Sequence, residues 1–413
     1  MGSIITLNIG NLQVDWAKNW RGADHSVLFQ SSDLKRVPYH YVTDNHEPVV
    51  ETKEAFSSPL RRVVARLELL SFTLETARGH FVEAMADRGL YLEDPGSAFD
   101  LFCDCLCNVN LTATSPDYDP AYDFGEIFGR TIFEALELPH LTAENEHWRR
   151  YTLTETLANV DANVALRLLS LNPANAELPV IWQFMDVLEG GWVKRDEIFR
   201  PLPQSDRFLI VTEGSSDAKI LFHALRLLRP AIADFFYFID MEEGYPFTGT
   251  GNLLNFCRGL AKIGILNKIL VLYDNDAEGV ARLADTLSLS FPPTMRALRL
   301  PNLKRFESFW TTGPQGVGNN DINGKAAAIE CYLDLTYTEN EQPGVRWTTY
   351  NQKLDCYQGE LIQKAKYAKQ FLQLRTVKED YDFSGLNAVL DTIVAECLSI
   401  SSSKFIDEPV PPT

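Results

Sequence analysis

The sequence contains no long hydrophobic run and few cysteines. None of its apolar runs approaches the roughly 18 residues that a membrane-spanning helix needs, and its N-terminus lacks the pattern of a secretory signal. The 413 residues include only 7 cysteines. An odd number in a long chain argues against a disulfide framework and for a reducing compartment. We therefore expect a cytoplasmic protein without a membrane-inserted segment.

Basic side chains are scarce relative to acidic ones. There are 38 lysines and arginines against 56 aspartates and glutamates, and the formal net charge is −18 at pH 7. Binding of nucleic acid over a broad surface is driven by counterion release from many phosphates and needs many cations. The composition therefore disfavours such wrapping, but it is compatible with a local basic track that leads to a metal-neutralised site.

Changes in pattern along the chain indicate four segments. Gly, Asp and Pro separate short strand-like pieces in the first, apolar residues recur at helical spacing in the second, and strands alternate with helices in the third. The predicted segments are an irregular β-containing element at 1–54, a mostly α-helical domain at 55–205, an α/β domain at 206–301 and a helical C-terminal extension at 302–413. The alternation in the third segment is typical of a parallel sheet.

The predicted elements follow the same patterns. In the second segment, helices are expected at about 97–110, 122–137, 145–169 and 176–190. In the α/β segment, strands are expected at 208–213, 235–240, 268–274 and 294–300. In the last segment, helices are expected to start at Lys325 and near residue 356.

Five acidic residues follow two of the predicted strands. Glu213 ends the first strand and Asp217 lies in the first turn of the next helix, while Asp274, Asp276 and Glu278 follow the third strand. Ligands bind an open parallel sheet at the carboxyl ends of its strands, so these carboxylates are expected to converge on one crevice. The alternative is that they only begin helices, where the helix dipole favours acids.

Converging carboxylates repel one another unless a cation is present or some of them are protonated. A set of oxygen ligands without His or Cys favours Mg²⁺ or Mn²⁺ over zinc. Such ions typically act on phosphate groups, where they position the reactants and activate a water molecule or hydroxyl group. The pattern therefore predicts a site for Mg²⁺ or Mn²⁺ that acts on phosphates.

Two short motifs carry a resemblance to a known family. Thr212-Glu213-Gly214 after one apolar strand and Asp274-Asn-Asp276 after another resemble the Toprim domain of topoisomerases, primases and metal-dependent nucleases. With Asp217 and Glu278, this segment is similar to the nuclease branch, especially the overcoming-lysogenization-defect nucleases. The preceding helical region and the Asp321-Ile-Asn-Gly-Lys325 stretch resemble bacterial HEPN/Toprim-associated proteins.

The resemblance implies roles for individual residues. Asp274, Asp276 and Glu278 would bind one cation, and Glu213 and Asp217 would bind a second or assist proton transfer. Lys325 would stabilise the charge of the phosphoryl transition state from the start of a helix that also carries Glu330. The alternative for Lys325 and Glu330 is a solvated face of an amphipathic helix.

The HEPN ribonuclease pattern, Arg-x₄₋₆-His, is not matched in the first half of the chain. Arg21 and His25, like Arg36 and His40, are separated by only three residues. A HEPN ribonuclease activity is therefore not expected, and the helical domain is predicted to bind a partner or to mediate assembly.

The sequence as a whole predicts a Mg²⁺- or Mn²⁺-dependent nuclease that hydrolyses phosphodiester bonds in DNA or RNA, in a toxin or anti-phage defence setting. The alternative is a non-catalytic Toprim module that senses a nucleotide or binds a partner. The expected partners are a nucleic acid substrate, an ATPase or other defence protein, and a second copy of the chain in a homo-oligomer.

Overall fold

The computed structural model describes residues 2–42, 47–87, 94–113, 160–239, 250–263, 265–337, 342–352 and 354–402. The chain forms two compact units, Met1–Leu202 (unit 1) and Pro203–Thr413 (unit 2). The helix predicted at 122–137 lies outside the described residues. Among the described residues, none of the helices combines the length and the apolar content that crossing a membrane requires.

Unit 1 is built around an antiparallel sheet. Its strands are β1 (Ile4–Ile9), β2 (Leu12–Lys18), β3 (Leu34–Val42), β4 (Pro48–Pro59) and β5 (Pro179–Gln183), in the order β2-β1-β5-β4-β3. β1 turns directly into β2 at Gly10, which has a φ of +55° that glycine adopts without steric cost. Along β1, Ile5, Leu7 and Ile9 alternate with more exposed residues, so one face of the sheet contributes to the core.

Helices pack on that core. They are α1 (Leu60–Leu69), α2 (Leu74–Asp87), α3 (Pro95–Leu106), α4 (Ala162–Leu169), α5 (Met185–Glu189) and α6 (Arg195–Ile198). Trp182 of β5 is buried and its ring stacks on Phe56 of β4, at 6.2 Å between centroids. Aromatic contacts of this kind add to the free energy gained by burying apolar area.

The prediction of a separate element at 1–54 followed by a mostly helical domain is wrong. β4 continues through residue 54, and β5 lies between β1 and β4, so both predicted segments share one sheet. The helix predicted at 176–190 is the strand β5 followed by the short α5. β5 forms because its backbone pairs on both sides, with Leu7 and Phe56 both opposite Trp182, and this pairing overrides local helical spacing.

Unit 2 contains the predicted parallel sheet. Its strands are β6 (Phe208–Thr212), β7 (Phe236–Phe238), β8 (Lys268–Tyr273) and β10 (Met295–Arg299), and a two-residue strand β9 (Asn275–Asp276) follows β8. The helices between them are α7 (Ser215–Leu228), α8 (Thr250–Ile263) and α9 (Ala277–Leu287). The order is β10-β8-β6-β7 and every pair is parallel. The expectation of a mixed α/β protein with a parallel sheet is confirmed.

All residues of β6 and β8 are buried. Strands of a parallel sheet are covered on both faces by helices, and such strands read as continuous apolar runs. This explains why both strands were recognisable in the sequence.

The C-terminal part of unit 2 is not simply helical, contrary to the prediction. It contains β11 (Phe309–Gly313), β12 (Gly316–Asn320), β13 (Ala326–Ala327), β14 (Val345–Asn351) and β15 (Cys356–Leu361), followed by α10 (Lys364–Leu372) and α11 (Ser384–Ser402). Four of these strands form a second sheet in the order β12-β11-β14-β15, and β13 pairs with β9.

Lys325 therefore does not begin a helix. The next two residues form β13, opposite Asp276 and Asn275, and a 3₁₀ helix follows at Ile329–Tyr332. Both alanines are buried, at 1% and 0% exposure, so their small side chains fit between β9 and the surrounding core. Alanine-rich sequence favours a helix in isolation, and here the strand pairing overrides that preference.

Candidate metal centre

The acidic residues of the sequence pattern lie at the carboxyl edge of the parallel sheet. Glu213 directly follows β6, and Asp274 directly follows the neighbouring β8. The two strands are in register at Thr212 and Leu272, so their ends are nearly level. The backbone N–H of Asp274 donates to Glu213 Oε1 at 3.0 Å, which joins the two strand ends directly.

Asp217 is held in the first turn of α7. Its Oδ2 accepts a hydrogen bond from the Gly214 N–H at 3.1 Å, and its Oδ1 accepts one from the Ser216 hydroxyl at 3.1 Å. An acid in this position also stabilises the helix start. This local role is compatible with a second role in the crevice, where the charges of Asp217 and Glu213 act on each other.

Asp276 caps the next helix. Its Oδ1 accepts from the Gly279 N–H at 2.7 Å, which is the N-cap arrangement for α9. Its other oxygen accepts from the Gln358 side-chain amide, whose carbonyl oxygen accepts from the Glu278 N–H at 3.0 Å. Gln358 of β15 thus orients the loop that carries both acids. The side chain of Glu278 itself is exposed at the rim.

Asn275, between the two aspartates, is fully buried and anchors this turn. Its amide nitrogen donates to Asn302 Oδ1 at 3.1 Å, and its carbonyl oxygen accepts from the Gly324 N–H at 2.9 Å and from Arg299. The side-chain directions of Asp274 and Asp276 are therefore set by a packed polar residue rather than by a free loop.

Glu330 adds a further carboxylate to this edge. It lies in the 3₁₀ helix after β13, it is 4% exposed, and its Oε1 accepts from Ser216 Oγ at 3.5 Å. The same 3₁₀ helix presents the Ile329 N–H to Asp274 Oδ1 at 3.1 Å. The segment after β13 is therefore part of the site, although it is not the helix that was predicted.

Lys325 reaches the site with its backbone, which bridges to Asp276. Its amino group donates to the carbonyl oxygen of Asp321 at 3.2 Å. The cation whose charge acts on Asp217 is Lys364, at the start of α10. Of the predicted site residues, the structure brings Glu213, Asp217, Asp274 and Asp276 together, leaves Glu278 at the rim and directs the Lys325 ammonium group toward Asp321.

Burial and the proximity of the other carboxylates raise the pKa values of these acids. Burial, followed by the charge of Asp276, raises the pKa of Glu213 to about 8, although the Asp274 N–H opposes the shift. Burial, followed by the charge of Glu330, raises the pKa of Asp217 to about 7. Burial and the charges of Asp217 and Glu213 raise the pKa of Asp274 well above its ordinary value.

The pKa of Asp276 is also raised by burial, and the Gly279 and Gln358 hydrogen bonds oppose that shift. All four acids are thus penalised for carrying their charge, which is the pattern expected of a site built to hold cations or protons.

The donor set fits a hard divalent cation, because it consists of carboxylate oxygens with mutual repulsion that a cation relieves. In the part of the chain that the structure describes, no three acidic, histidine or cysteine side chains are grouped so that they could hold an ion as they stand. The oxygen donors are thus of the kind that Mg²⁺ or Mn²⁺ prefers, although no three of these described side chains are grouped around one point.

The structure shows contributions that sequence reasoning missed. Gln358 lies 82 residues from Asp276, and Ser216 lies 114 residues from Glu330. No local spacing signals either contact. Two arginines near this edge of the sheet have structural partners: Arg299 donates to Asn275 and Asn302, and Arg305 pairs with Asp382 at 3.1 Å.

The fold and the site define an α/β protein with an acidic crevice at the carboxyl edge of its parallel sheet. Residues 1–206 match the family model described as HEPN/Toprim N-terminal domain 1. The match supports membership of the HEPN/Toprim-associated family and a Toprim-associated, nucleic-acid-related module. Comparisons with curated proteins and with solved structures gave no match.

The matched span ends before β6 begins, so it covers unit 1 and not the acids. The family match and the crevice are thus independent observations on different halves of the chain. The similarity of unit 2 to the overcoming-lysogenization-defect nucleases stays a prediction.

Proposed function

We propose that unit 2 is a Toprim nuclease domain that hydrolyses phosphodiester bonds of DNA or RNA with Mg²⁺ or Mn²⁺. The observation that carries the proposal is the convergence of Glu213, Asp217, Asp274 and Asp276 at neighbouring strand ends, with the pKa of each raised. Perturbed carboxylates that cluster in a crevice are characteristic of catalytic sites. The family match on unit 1 supports a Toprim-associated, nucleic-acid-related module, with which this assignment is compatible.

The residues that would hold the cations follow from their positions. Asp274 and Asp276, with Glu278 at the rim, would hold one ion, and Glu213 and Asp217 a second. A bound ion of this kind would neutralise phosphate charge and lower the pKa of a coordinated water molecule. Glu330, buried beside Asp217 and Asp274, is a further candidate ligand.

As the alternative to binding the second ion, Glu213 is suited to hold a proton. Its Oε1 accepts from the Asp274 N–H, so a proton on this side chain resides on Oε2. A carboxylic acid with a pKa of about 8 exchanges that proton near neutral pH, which is the range in which general acid–base catalysis is efficient. Glu213 would accept a proton from the attacking water or donate one to the leaving oxygen.

The biological setting belongs to the proposal. A toxin or anti-phage effector in the cytoplasm would need control of its nuclease, and unit 1 offers a second body that a partner such as an ATPase or a second copy of the chain would engage. The net charge of −18 fits this picture, because such a partner would supply affinity for the nucleic acid.

Cleavage assays test the proposal. The purified full-length chain would be incubated with Mg²⁺ or Mn²⁺ and plasmid, single-stranded DNA, total RNA or tRNA. We expect cleavage that EDTA abolishes and that falls at least about 10²-fold in Asp274→Asn and Glu213→Gln, since ligands and bases each contribute about 10²–10⁴-fold. Intact substrates under all conditions, with and without candidate partners, would refute it.

One observation favours a second function. The acids do not form a ready set of three ligands in the described residues. A non-catalytic Toprim module that binds a nucleotide or a partner would need no such set. It would bind nucleotides equally well with Asp274→Asn, whereas a metal-dependent site would not.

A further inference from the structure

A cleft of about 460 Å³ opens beside the acidic crevice, within unit 2. Ser216 and Glu330 contribute to its lining, and α10 forms one wall with Lys364, Ala365, Ala368 and Lys369. The volume is within the range of about 300–1,000 Å³ that is usual for pockets that hold one small molecule. It suits one nucleotide unit of a strand rather than a double helix.

The wall of the cleft has a local charge opposite to that of the chain. α10 has three lysines and no acid in the sequence Lys364-Ala-Lys-Tyr-Ala-Lys-Gln-Phe-Leu372, whereas the chain carries a net charge of −18. Two of these lysines, Lys364 and Lys369, line the cleft and are exposed. A short basic wall in an acidic protein marks a place where an anion is held locally.

Apart from the lysines, much of the wall is apolar. Ala365, Ala368 and Leu372 give a surface without charge or hydrogen-bonding side chains. Polyanions that have no apolar part, such as inorganic phosphates, gain nothing from such a surface. A nucleotide has both parts, because its phosphates bind cations and its base packs on apolar or aromatic side chains.

The cleft is continuous with the acids. The hydroxyl oxygen of Ser216, which lines it, lies 3.1 Å from Asp217 Oδ1 and 3.5 Å from Glu330 Oε1, so it can donate to either carboxylate. Lys364 also acts through its charge on Asp217. A strand held along α10 would therefore present its adjacent phosphate to the acidic crevice.

We propose that this cleft binds one nucleotide of a single-stranded nucleic acid next to the scissile phosphate, with Lys364 and Lys369 contacting phosphates and Ala365, Ala368 and Leu372 contacting the base or sugar. The statement that a scissile phosphate lies next to the cleft rests on the proposed nuclease function. The statement that the cleft binds a strand rests on the cleft alone. It assigns the substrate class as single-stranded or frayed nucleic acid, DNA or RNA.

The test measures binding by fluorescence anisotropy, with the full-length protein in EDTA so that no metal-dependent cleavage occurs. The probes are a fluorescein-labelled 12-nucleotide DNA strand, its RNA equivalent and the DNA duplex. We expect Lys364→Ala and Lys369→Ala each to raise the Kd of both strands about threefold to tenfold, and to lower the slope of log Kd against log salt by about 0.7 per lost phosphate contact.

Two further variants separate shape and position from total charge. Lys366→Ala removes an exposed charge from the same helix outside the cleft lining and is expected to change Kd less than about twofold. Ala365→Trp fills the cleft from an exposed position and is expected to raise Kd about tenfold while the salt slope stays unchanged. Circular dichroism and thermal melting would verify that each variant folds.

The proposal fails if the duplex binds as tightly as the strands, if Lys366→Ala weakens binding as much as Lys364→Ala, or if no probe binds. If metal-dependent cleavage occurs and its KM is unchanged in Lys364→Ala and Ala365→Trp, strand binding in the cleft is refuted while the proposed nuclease function stands. If the expected binding pattern is observed but no cleavage occurs, the proposed strand binding is supported and the proposed nuclease function is refuted.

Discussion

At the scale of single residues, Asp274 has an unfavourable environment for a negative charge. Burial and four neighbouring carboxylates raise its pKa, and the Ile329 N–H at 3.1 Å is placed to stabilise its charge. A buried charge without a cation opposes folding. The residue is thus expected to cost stability in the metal-free protein and to contribute binding energy when a cation is present.

Asp274→Asn is expected to leave the metal-free protein as stable as the wild type or more stable. The asparagine carbonyl still accepts from Ile329, while one repelling charge is lost. A gain of about 1 kcal/mol corresponds to a rise of about 2–4 °C in the melting temperature for a unit of this size. Thermal melting at pH 8 in EDTA measures it.

The control for this experiment is Asp285→Asn, since Asp285 is half-exposed on α9 and pairs only loosely with Arg282 at 3.7 Å. Its melting temperature is expected to stay within about 1 °C of the wild type. Adding Mg²⁺ should stabilise the wild type and the control but not Asp274→Asn. A large loss of stability in metal-free Asp274→Asn would contradict the assignment.

The raised pKa values also predict a pH dependence. The pKa of Glu213 rises from 4.5 to about 8 on folding, and that of Asp217 from 3.8 to about 7. Between about pH 4 and about pH 8 the folded chain therefore binds more protons than the unfolded chain, and the free energy of unfolding falls as pH rises. The penalty is absent below about pH 4 and fully present above about pH 8.

To isolate this effect, the melting temperature of the metal-free wild type would be compared with that of Glu213→Gln across the same pH range. The melting temperature of Glu213→Gln should increase relative to that of the wild type as pH rises from 5 to 8. A difference that is constant with pH, or that turns toward the wild type, would show that Glu213 does not carry a raised pKa.

The site residues that the sequence revealed are those whose signal is local. Glu213, Asp217, Asp274 and Asp276 each follow a buried strand within a few residues, so periodicity and strand ends locate them. Gln358 and the contact of Ser216 with Glu330 depend on how distant segments pack. No pattern within one segment contains that information.

At the scale of elements, β8, β9 and α9 meet at a very tight turn. A Cβ at Gly279 would lie 2.2 Å from the carbonyl oxygen of Asp274, a contact with backbone that cannot move aside independently. The close approach lets the Gly279 N–H reach Asp276 at 2.7 Å. Glycine is therefore required here for space and not for an unusual φ.

Gly279→Ala is expected to destabilise the protein by about 1–3 kcal/mol through overpacking and to move α9 away from the acids. Gly259→Ala is the matched control, because Gly259 lies within α8 and a Cβ there meets nothing within 4 Å. That substitution should stabilise the protein by about 0.5–1 kcal/mol. Urea denaturation measures both, and equal effects would contradict the packing described.

β15 contributes to the site through Gln358. Gln358→Leu keeps the size of the side chain but removes the donor to Asp276 and the acceptor for the Glu278 N–H. Groups that orient metal ligands typically contribute 10- to 100-fold to metal affinity, so the Kd for Mn²⁺ should rise about 10-fold or more. Gln315→Leu, in the exposed turn after β11, is the control and should leave that Kd unchanged.

Elements were predictable where the apolar pattern alone decides the structure. β6 and β8 are buried along their whole length and were found close to their true bounds. The strands β5, β13 and β15 occupy stretches predicted as helices, because pairing with other strands overrides their local preference. β5 and β13 pair with strands far away in the sequence, whereas β15 forms a hairpin with the adjacent β14. A strand forms only when it pairs with another strand, so the sequence of the strand alone does not predict it.

At the scale of the whole molecule, the division into Met1–Leu202 and Pro203–Thr413 separates the family-matched unit from the acidic crevice. If the proposed function holds, this acidic protein would meet nucleic acid over a narrow surface, and the basic wall of α10 is consistent with this. The global architecture was only partly predictable, because the sheet of unit 1 joins residues from both ends of that unit.

The central claim is that the crevice of unit 2 holds a divalent cation on its carboxylates. Titration of the full-length protein with Mn²⁺ at pH 7.5, with free Mn²⁺ followed by electron paramagnetic resonance, tests this most directly. The wild type should deplete the free signal, Mg²⁺ should restore it by competition, and Asp274→Asn should not deplete it. A free signal that is the same with wild type, with Asp274→Asn and with buffer alone would contradict the claim.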